Sequence, residues 1–167
     1  MKLTLLKQLL ALYQQLLEKL KAQQPEIVII HHTGGSDADP YADTSHHTVQ
    51  MVDKWHKQIG FNKSKLGYYV GYHYFIEKDG KVTQCRIHDE NGCHTVGYNQ
   101  CIGICLAGNF DATMPTVEQI ASLKGLLLAL SKNSKILPVP HRKFAPHKSC
   151  YGSKLPDDWA ENLIIKK

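Results

Sequence analysis

A short run of β-branched residues, Ile27–Ile30 with the sequence IVII, constrains the fold of this chain more than any other stretch. Such a run is typical of a strand that is buried on both faces, as in a sheet covered by helices. It ends in HHTGG, a polar and glycine-rich loop that would begin at the edge of the sheet. Loops of this kind often carry the functional residues of α/β proteins, so His31 and His32 are the first candidates. Adjacent residues point to opposite sides, so at most one of the two is expected to serve a given site.

Two helices are predicted to cover this sheet. The first is expected to start at a cap among residues 43–45 and to run to about Gly60. Its predicted core face consists of Val49, Val52, Trp55 and either His56 or Ile59. The second begins after Thr116, which is placed to form a capping box with Gln119, and a stripe of aliphatic residues follows.

Further strands are predicted on either side of these helices. The stretch YVGYHYFIEKDGKVTQCRI is typical of a hairpin that turns at Asp79-Gly80, and CIGICLAG and ILPVP are typical of additional strands. After Pro156 a short terminal helix is expected, with Trp159 packed inward. The prediction is therefore a single α/β domain over residues 25–167, with a central mixed β-sheet flanked by helices.

Residues 1–24 form a separate amphipathic helix in this interpretation. The apolar residues spaced by three and four are Leu3, Leu6, Leu10, Tyr13, Leu17 and Leu20. This spacing fits a helix that packs on the domain's own core, and it fits equally a self-association helix that makes a homo-oligomer through residues 1–22. A helix lying on a membrane is less favoured, because glutamine dominates its polar face. The segment is too polar for a membrane span and lacks a signal-peptide cleavage site, so synthesis in the cytoplasm without a signal peptide is predicted.

The composition of the chain argues against some classes of protein, such as disulfide-rich domains, and leaves other classes open. The chain of 167 residues is long enough to bury a core without disulfides, and five cysteines, an odd number, fit a disulfide framework poorly. The net charge of +5 favours anionic partners in general. No motif of interleaved aromatic and basic residues supports nucleic-acid binding.

A second candidate region is HRKFAPHKSC, which places His141, Lys148 and Cys150 close together. Imidazole and thiolate are good zinc ligands, and His31, His141 and Cys150 would make the three-ligand set of a catalytic site. With ten histidines in the chain, spacing alone does not select this set. The same residues also fit a cysteine hydrolase, with Cys150 as nucleophile and His141 as base.

Four stretches of the chain together resemble one known family. IVIIHHTGG, GYHYFIEKDGKV, GCHTVGYNQCIGICLAGNF and HRKFAPHKSC occur in this order and at about this spacing in the type-2 N-acetylmuramoyl-L-alanine amidases. The resemblance covers about residues 26–160. It implies a mixed sheet flanked by helices, a Zn²⁺ ion in a cleft, and hydrolysis of the amide bond between N-acetylmuramic acid and L-alanine in the peptidoglycan stem.

By position, the resemblance implies that the zinc ligands are His31, His141 and Cys150. It also implies that Tyr72 and Lys148 assist catalysis and that His94 and Asn99 contact the substrate. One departure is Cys105, which stands where some relatives have a glutamate base, so a carboxylate-based mechanism is not expected here. The alternative within the same fold is a non-catalytic module that binds the muropeptide stem of peptidoglycan. Either protein would act on the bacterial cell wall after release from the cell.

Overall fold

A computed structural model describes residues 2–165, and within the first helix it describes the side chains of residues 6–17. The helices are α1 Lys2–Gln23, α2 Val49–Gln58, α3 Val117–Leu130 and α4 Trp159–Asn162, and a 3₁₀ turn spans His141–Lys143. The strands are β1 Glu26–His32, β2 Tyr74–Ile76, β3 Val82–Gln84, β4 Ile102–Leu106 and β5 Ile136–Pro140.

The five strands form one mixed sheet in the order β3-β2-β4-β1-β5. β1 lies between β4 and β5 and is parallel to both, β2 is parallel to β4, and β3 is antiparallel to β2. The predicted mixed sheet flanked by helices is therefore confirmed. Parallel pairing on both sides explains the IVII run, because Ile29 and Ile30 are fully buried on opposite faces of β1.

The core lies in two layers, one on each face of the sheet. The layer beneath α3 and α4 contains Ile30, Ile104 and Leu123 among others. The layer beneath α2 contains Phe75 and Cys105, and the ring of Tyr72 packs against it. Because successive strand residues alternate between these layers, the ends of β1 and β4 present different side chains to each face.

Helix α2 differs from the prediction at its start and on its core face. It begins at Val49, because the side chain of Thr48 accepts a hydrogen bond from the Met51 amide, whereas Asp43 accepts from Ser45 in a preceding turn. The expectation that Trp55 packs inward is wrong, since 56% of its surface is exposed. The inward positions are Val49, Val52 and His56. His56 is fixed inside because its Nδ1 accepts a hydrogen bond of 3.0 Å from the Gly71 amide.

Other local predictions are confirmed. The Thr116–Gln119 capping box is present at the start of α3. The hairpin joins β2 to β3 through a tight loop in which Gly80 has a φ of 85°, a conformation that favours glycine. Trp159 packs its ring against Tyr151, with 5.5 Å between the ring centroids.

The apolar side chains of α1 are largely exposed. Leu6 is 64%, Leu10 56% and Tyr13 58% exposed, so the prediction that this face packs on the domain's own core is wrong for these residues. Leu3 and Leu20, which belong to the same heptad pattern, lie outside the described side chains. Self-association through residues 1–22 stays a prediction. Among the described residues, no helix has the length and hydrophobicity of a membrane span.

Candidate metal centre

His31 is positioned by the most buried part of the sheet. It is the sixth residue of β1, pairs with Cys105 of β4, and is 2% exposed. Its neighbour His32 points to the other side, where its Nδ1 accepts a hydrogen bond of 2.9 Å from the Phe110 amide. The two histidines therefore have different environments, as the alternation of a strand requires.

His141 and Cys150 reach the same point from the neighbouring strand. His141 directly follows Pro140, the last residue of β5, which is paired with β1. The chain then loops out and returns, and the Sγ of Cys150 lies 3.7 Å from the Nδ1 of His31. One ligand atom from each of these three residues lies within 4.8 Å of the other two. Among the described residues this is the one such group of three metal-ligand side chains, so the ligand set implied by the resemblance is brought together.

Burial keeps both imidazoles of this cluster neutral. It lowers the pKa of His141 to about 4, with a further contribution from the nearby Lys148 ammonium. It also lowers the pKa of His31 well below its ordinary value, and the neighbouring His94 and His141 add to this effect. A neutral imidazole keeps a lone pair, so both side chains are suited to bind a cation near pH 7.

The thiol of Cys150 has the opposite behaviour. Burial raises its pKa to about 12, although the His32 amide donates to its sulfur. In the absence of a cation the thiol is therefore protonated at neutral pH. A bound divalent cation reverses this preference, so that binding would release a proton.

The loop that carries Cys150 is held by polar contacts that the sequence analysis missed. The backbone amide of Arg142 donates to the Cys150 carbonyl at 2.6 Å, and the Arg142 guanidinium pairs with Asp157. The same guanidinium donates to three backbone carbonyls of the loop, those of Ser149, Gly152 and Leu155. The only signal in the sequence is the arginine that directly follows His141.

Asp111 holds the loop from the other side. Its carboxylate accepts a hydrogen bond of 2.5 Å from the Ser149 hydroxyl and one of 2.6 Å from the Ser153 amide. Asp111 comes shortly after β4, in NFDAT, far from this loop in sequence. No local pattern connects the two segments, which is why the sequence did not indicate this contact.

A cavity of about 410 Å³ opens beside the cluster. It is lined by Phe61, Cys93, His94, Thr95, Val96, Asn99, His141, Phe144, Ala145, His147 and Lys148. Lys148 is exposed at this cavity, and the ring of Tyr72 lies 5.1 Å from that of His31. Burial, together with the Cys105 and Cys150 thiols, raises the pKa of Tyr72 well above its ordinary value, so its hydroxyl remains a donor.

The two predicted substrate contacts, His94 and Asn99, also line the cavity, but both ring nitrogens of His94 and the side-chain oxygen of Asn99 have partners within the protein. The Asn99 side-chain oxygen accepts hydrogen bonds of 2.8 Å from the amides of His94 and Thr95. The His94 ring nitrogens lie 3.1 Å from His31 and 3.0 Å from the Cys101 carbonyl. Burial lowers the pKa of His94 to about 4, so this ring is neutral. That either residue contacts a substrate stays a prediction.

The fold is a mixed β-sheet flanked by helices, and two imidazoles and one thiol lie together beside a cavity. These features define an α/β protein with a candidate three-ligand metal centre. Comparison with known families gives its membership: the family described as N-acetylmuramoyl-L-alanine amidase matches residues 21–154. The chain belongs to this family, in its type-2 branch, as the resemblance implied.

Individual relatives agree with this assignment. The endolysin of Escherichia phage T7 is 34% identical over 125 residues, which cover 70% of this chain and 78% of the endolysin. The endolysin of Klebsiella phage KP32 is 32% identical over 124 residues, with the same two coverages. Among solved structures, the N-acetylmuramoyl-L-alanine amidase LysC from Clostridium intestinale URNW is 29% identical, with a TM-score of 0.64 and coverage of 83% of this chain and 82% of LysC.

Proposed function

We propose that this protein is a zinc-dependent N-acetylmuramoyl-L-alanine amidase that cleaves peptidoglycan between N-acetylmuramic acid and L-alanine. The observation that supports this most strongly is the cluster of His31, His141 and Cys150, whose ligand atoms lie within 4.8 Å of one another beside an open cavity. The phage endolysins among its relatives point to the bacterial cell wall as the place of action, after release from the cell.

The donor atoms of this cluster fit zinc. Two neutral imidazoles and one thiol are borderline-soft ligands, and three protein ligands are the usual number in a catalytic zinc site. Zinc bound there supplies Lewis acidity, which polarises a carbonyl oxygen and makes water a stronger nucleophile near neutral pH. His31, His141 and Cys150 would hold it.

The other residues of the site then act on the substrate amide. As water adds to the carbonyl carbon, negative charge develops on the carbonyl oxygen. The Lys148 ammonium, exposed at the cavity beside His141, can stabilise that charge. The Tyr72 hydroxyl, kept protonated by burial, can donate a hydrogen bond to the water or to the same oxygen. The resemblance implies both roles, and the charge of Lys148 and the protonation of Tyr72 support them.

Two alternatives are less well supported. A module that only binds peptidoglycan has no need of the complete set of Tyr72, Lys148 and Cys150. A cysteine hydrolase needs a thiolate, whereas burial raises the pKa of Cys150 to about 12. In addition, the nitrogen within contact of the thiol belongs to His31 and not to the proposed base His141.

Digestion of purified peptidoglycan tests the proposal. Mass spectrometry of the products should find intact glycan strands and stem peptides with a free L-alanine amino group. A chelator should abolish the release and added zinc should restore it, while a thiol-alkylating reagent should have no effect on the zinc-loaded Cys93→Ser protein, which lacks the accessible thiol of the cavity lining. Cleavage at a glycosidic bond or between two amino acids would refute the assigned reaction, and binding without cleavage would favour the non-catalytic module.

A further inference from the structure

His94 occupies a space that two glycines leave open. A Cβ atom at Gly92 would come within 2.4 Å of the His94 ring, and one at Gly103 within 2.7 Å. Real Cβ atoms do not approach so closely, so an alanine at either position would displace the imidazole. The backbone on both sides of the ring is therefore shaped to hold an imidazole in one place.

The hydrogen bonds of this ring determine where its proton lies. Its Nε2 is 3.0 Å from the carbonyl oxygen of Cys101, and a carbonyl oxygen only accepts hydrogen bonds. Nε2 therefore bears the hydrogen. In a neutral imidazole the other nitrogen, Nδ1, then has a lone pair and acts as an acceptor.

The nitrogen that faces this lone pair belongs to a proposed metal ligand. The Nε2 of His31 lies 3.1 Å from the Nδ1 of His94, within hydrogen-bond distance. Two lone pairs facing each other would repel, so His31 must bear its hydrogen on Nε2 and donate it to His94. The lone pair of His31 is then on Nδ1, and Nδ1 is the atom that faces the Cys150 sulfur at 3.7 Å.

We propose that His94 is a positioning residue that fixes the tautomer and the ring orientation of His31, so that Nδ1 of His31 is presented to the cation. The proposal rests on the metal centre proposed above. Ligand histidines commonly donate their second N–H to a carboxylate, a carbonyl or water, and here a neutral imidazole accepts it. The chain of contacts runs from Cys101 through His94 to His31.

Neighbouring residues make this arrangement rigid. Asn99 fixes the backbone at His94 and Thr95, because its side-chain oxygen accepts hydrogen bonds from both of their amides. The Thr95 hydroxyl lies 2.9 Å from Nδ1 of His94 and 3.4 Å from Nε2 of His31, so it adds a second polar contact to the same pair. Both His94 nitrogens are thus engaged within the protein, and replacement of His94 should change metal affinity more than substrate affinity.

Two substitutions of His94 test the acceptor atom Nδ1 separately from the donor atom Nε2. In His94→Asn the side-chain oxygen can stand where Nδ1 stands and can accept from His31. In His94→Gln the amide nitrogen can stand where Nε2 stands and can donate to Cys101, but the ring acceptor is lost and only the Thr95 hydroxyl, 3.4 Å from Nε2 of His31, still faces that ligand. His88→Gln, which removes an exposed histidine outside the cavity, is the matched control.

Zinc affinity and the tautomer of His31 should both distinguish these variants. Competition with a chromophoric chelator should show a loss of about 10–100-fold for His94→Gln and near wild-type affinity for His94→Asn and His88→Gln. Nitrogen-15 NMR of the metal-free protein should find the Nε2–H tautomer of His31 in the wild type and in His94→Asn, and a mixture in His94→Gln.

The opposite order of affinities, or equal losses in both His94 variants with the His31 tautomer unchanged, would overturn the proposal and leave His94 as a packing residue. The NMR measurement needs no metal, so it decides the tautomer even if the wild-type protein fails to bind zinc. That failure would count against the proposed amidase function and not against the contact between His94 and His31.

Discussion

His31 and Cys150 meet at one point, yet different kinds of structure hold them there. His31 lies within a parallel strand that has a hydrogen-bonded partner on each side, and its ring is backed by His94. Cys150 lies in a loop whose position depends on the side chains of Arg142 and Asp111. The comparison indicates that the strand side of the centre is preorganised by packing, whereas the loop side depends on a few charged contacts that a single substitution can remove.

The largest effect is expected when a ligand is removed from either side. His31→Ala and Cys150→Ala should both lose zinc and all hydrolytic activity, because two remaining ligands do not make a catalytic zinc site. His141→Ala should behave in the same way. Zinc content by mass spectrometry and peptidoglycan digestion are the measurements. Full metal content in His31→Ala would refute the ligand assignment, and His32 would be the next residue to test.

Lys148 on the loop side should affect the rate and not the metal. Lys148→Ala should lower kcat by about a hundredfold to a thousandfold, as expected when one stabilising group for the oxyanion is lost. Its KM and zinc content should stay close to those of the wild type, because the interaction strengthens as charge develops. Lys148→Arg should recover only part of the rate, since a planar guanidinium differs from a compact ammonium. Unchanged kcat with weaker substrate binding would assign Lys148 to ground-state binding.

A third test removes the contacts that hold the Cys150 loop and leaves all three metal ligands unchanged. Arg142→Gln should lower zinc affinity by about 10–100-fold, because the backbone that presents Cys150 is no longer fixed. It should also lower the free energy of unfolding by about 2 kcal/mol, since hydrogen bonds to a charged group are lost. Chelator competition and urea unfolding measure the two effects. Lys143→Gln, at an exposed position two residues from His141, is the control. Equal zinc affinity in Arg142→Gln and Lys143→Gln would contradict the conclusion that the loop side depends on a few charged contacts.

A buried histidine of helix α2, His56, predicts how stability depends on pH. Burial lowers the pKa of His56 from 6.5 in the unfolded chain to about 4 in the folded protein. Between these pH values the unfolded chain binds more protons than the folded protein. The stability that neutral His56 contributes is therefore fully present above pH 6.5 and is lost as the pH falls toward 4. The contribution of His56 should be on the order of 1 kcal/mol per pH unit.

Urea unfolding at several pH values would measure this dependence. His56→Asn places an oxygen near the position of Nδ1 and can still accept from the Gly71 amide, but it does not titrate. Its free energy of unfolding should therefore fall less steeply below pH 6.5 than that of the wild type. Identical slopes would mean that His56 is not kept neutral by its burial in the folded protein.

The smallest effect on zinc binding and activity is expected from changes in α1, which contributes to neither the strand side nor the loop side of the metal centre. We propose that residues 1–22 mediate self-association, because Leu6, Leu10 and Tyr13 share a heptad pattern and are more than half exposed. Deletion of residues 1–22 should give a smaller particle in light scattering, with zinc content and activity on soluble muropeptides retained. A monomeric full-length protein at high concentration would contradict self-association.

The sequence by itself determined the local elements and the order of the chemical blocks. The Thr116–Gln119 capping box and the Asp79-Gly80 turn depend on contacts within a few residues, so a linear pattern records them. The IVII run is likewise readable, because its composition indicates a strand buried on both faces. The order of the ligand blocks along the chain was also readable, through the resemblance to one family. The exposed position of Trp55 could not be read from the sequence, because periodicity does not define how far a helix is rotated about its axis.

Spacing alone did not select among ten histidines, and only the tertiary structure decided how His31 and His141 meet Cys150 and what holds them there. His31 and Cys150 are 119 residues apart, and His31 and His94 are 63 apart, so their contacts depend on strand order and on how the connecting loops return. The roles of Arg142 and Asp111 arise in the same way, since each acts on a loop that the sheet brings within reach. Hydrogen bonds and metal ligation act over a few ångströms, and for residues this far apart in sequence that distance is set by the fold.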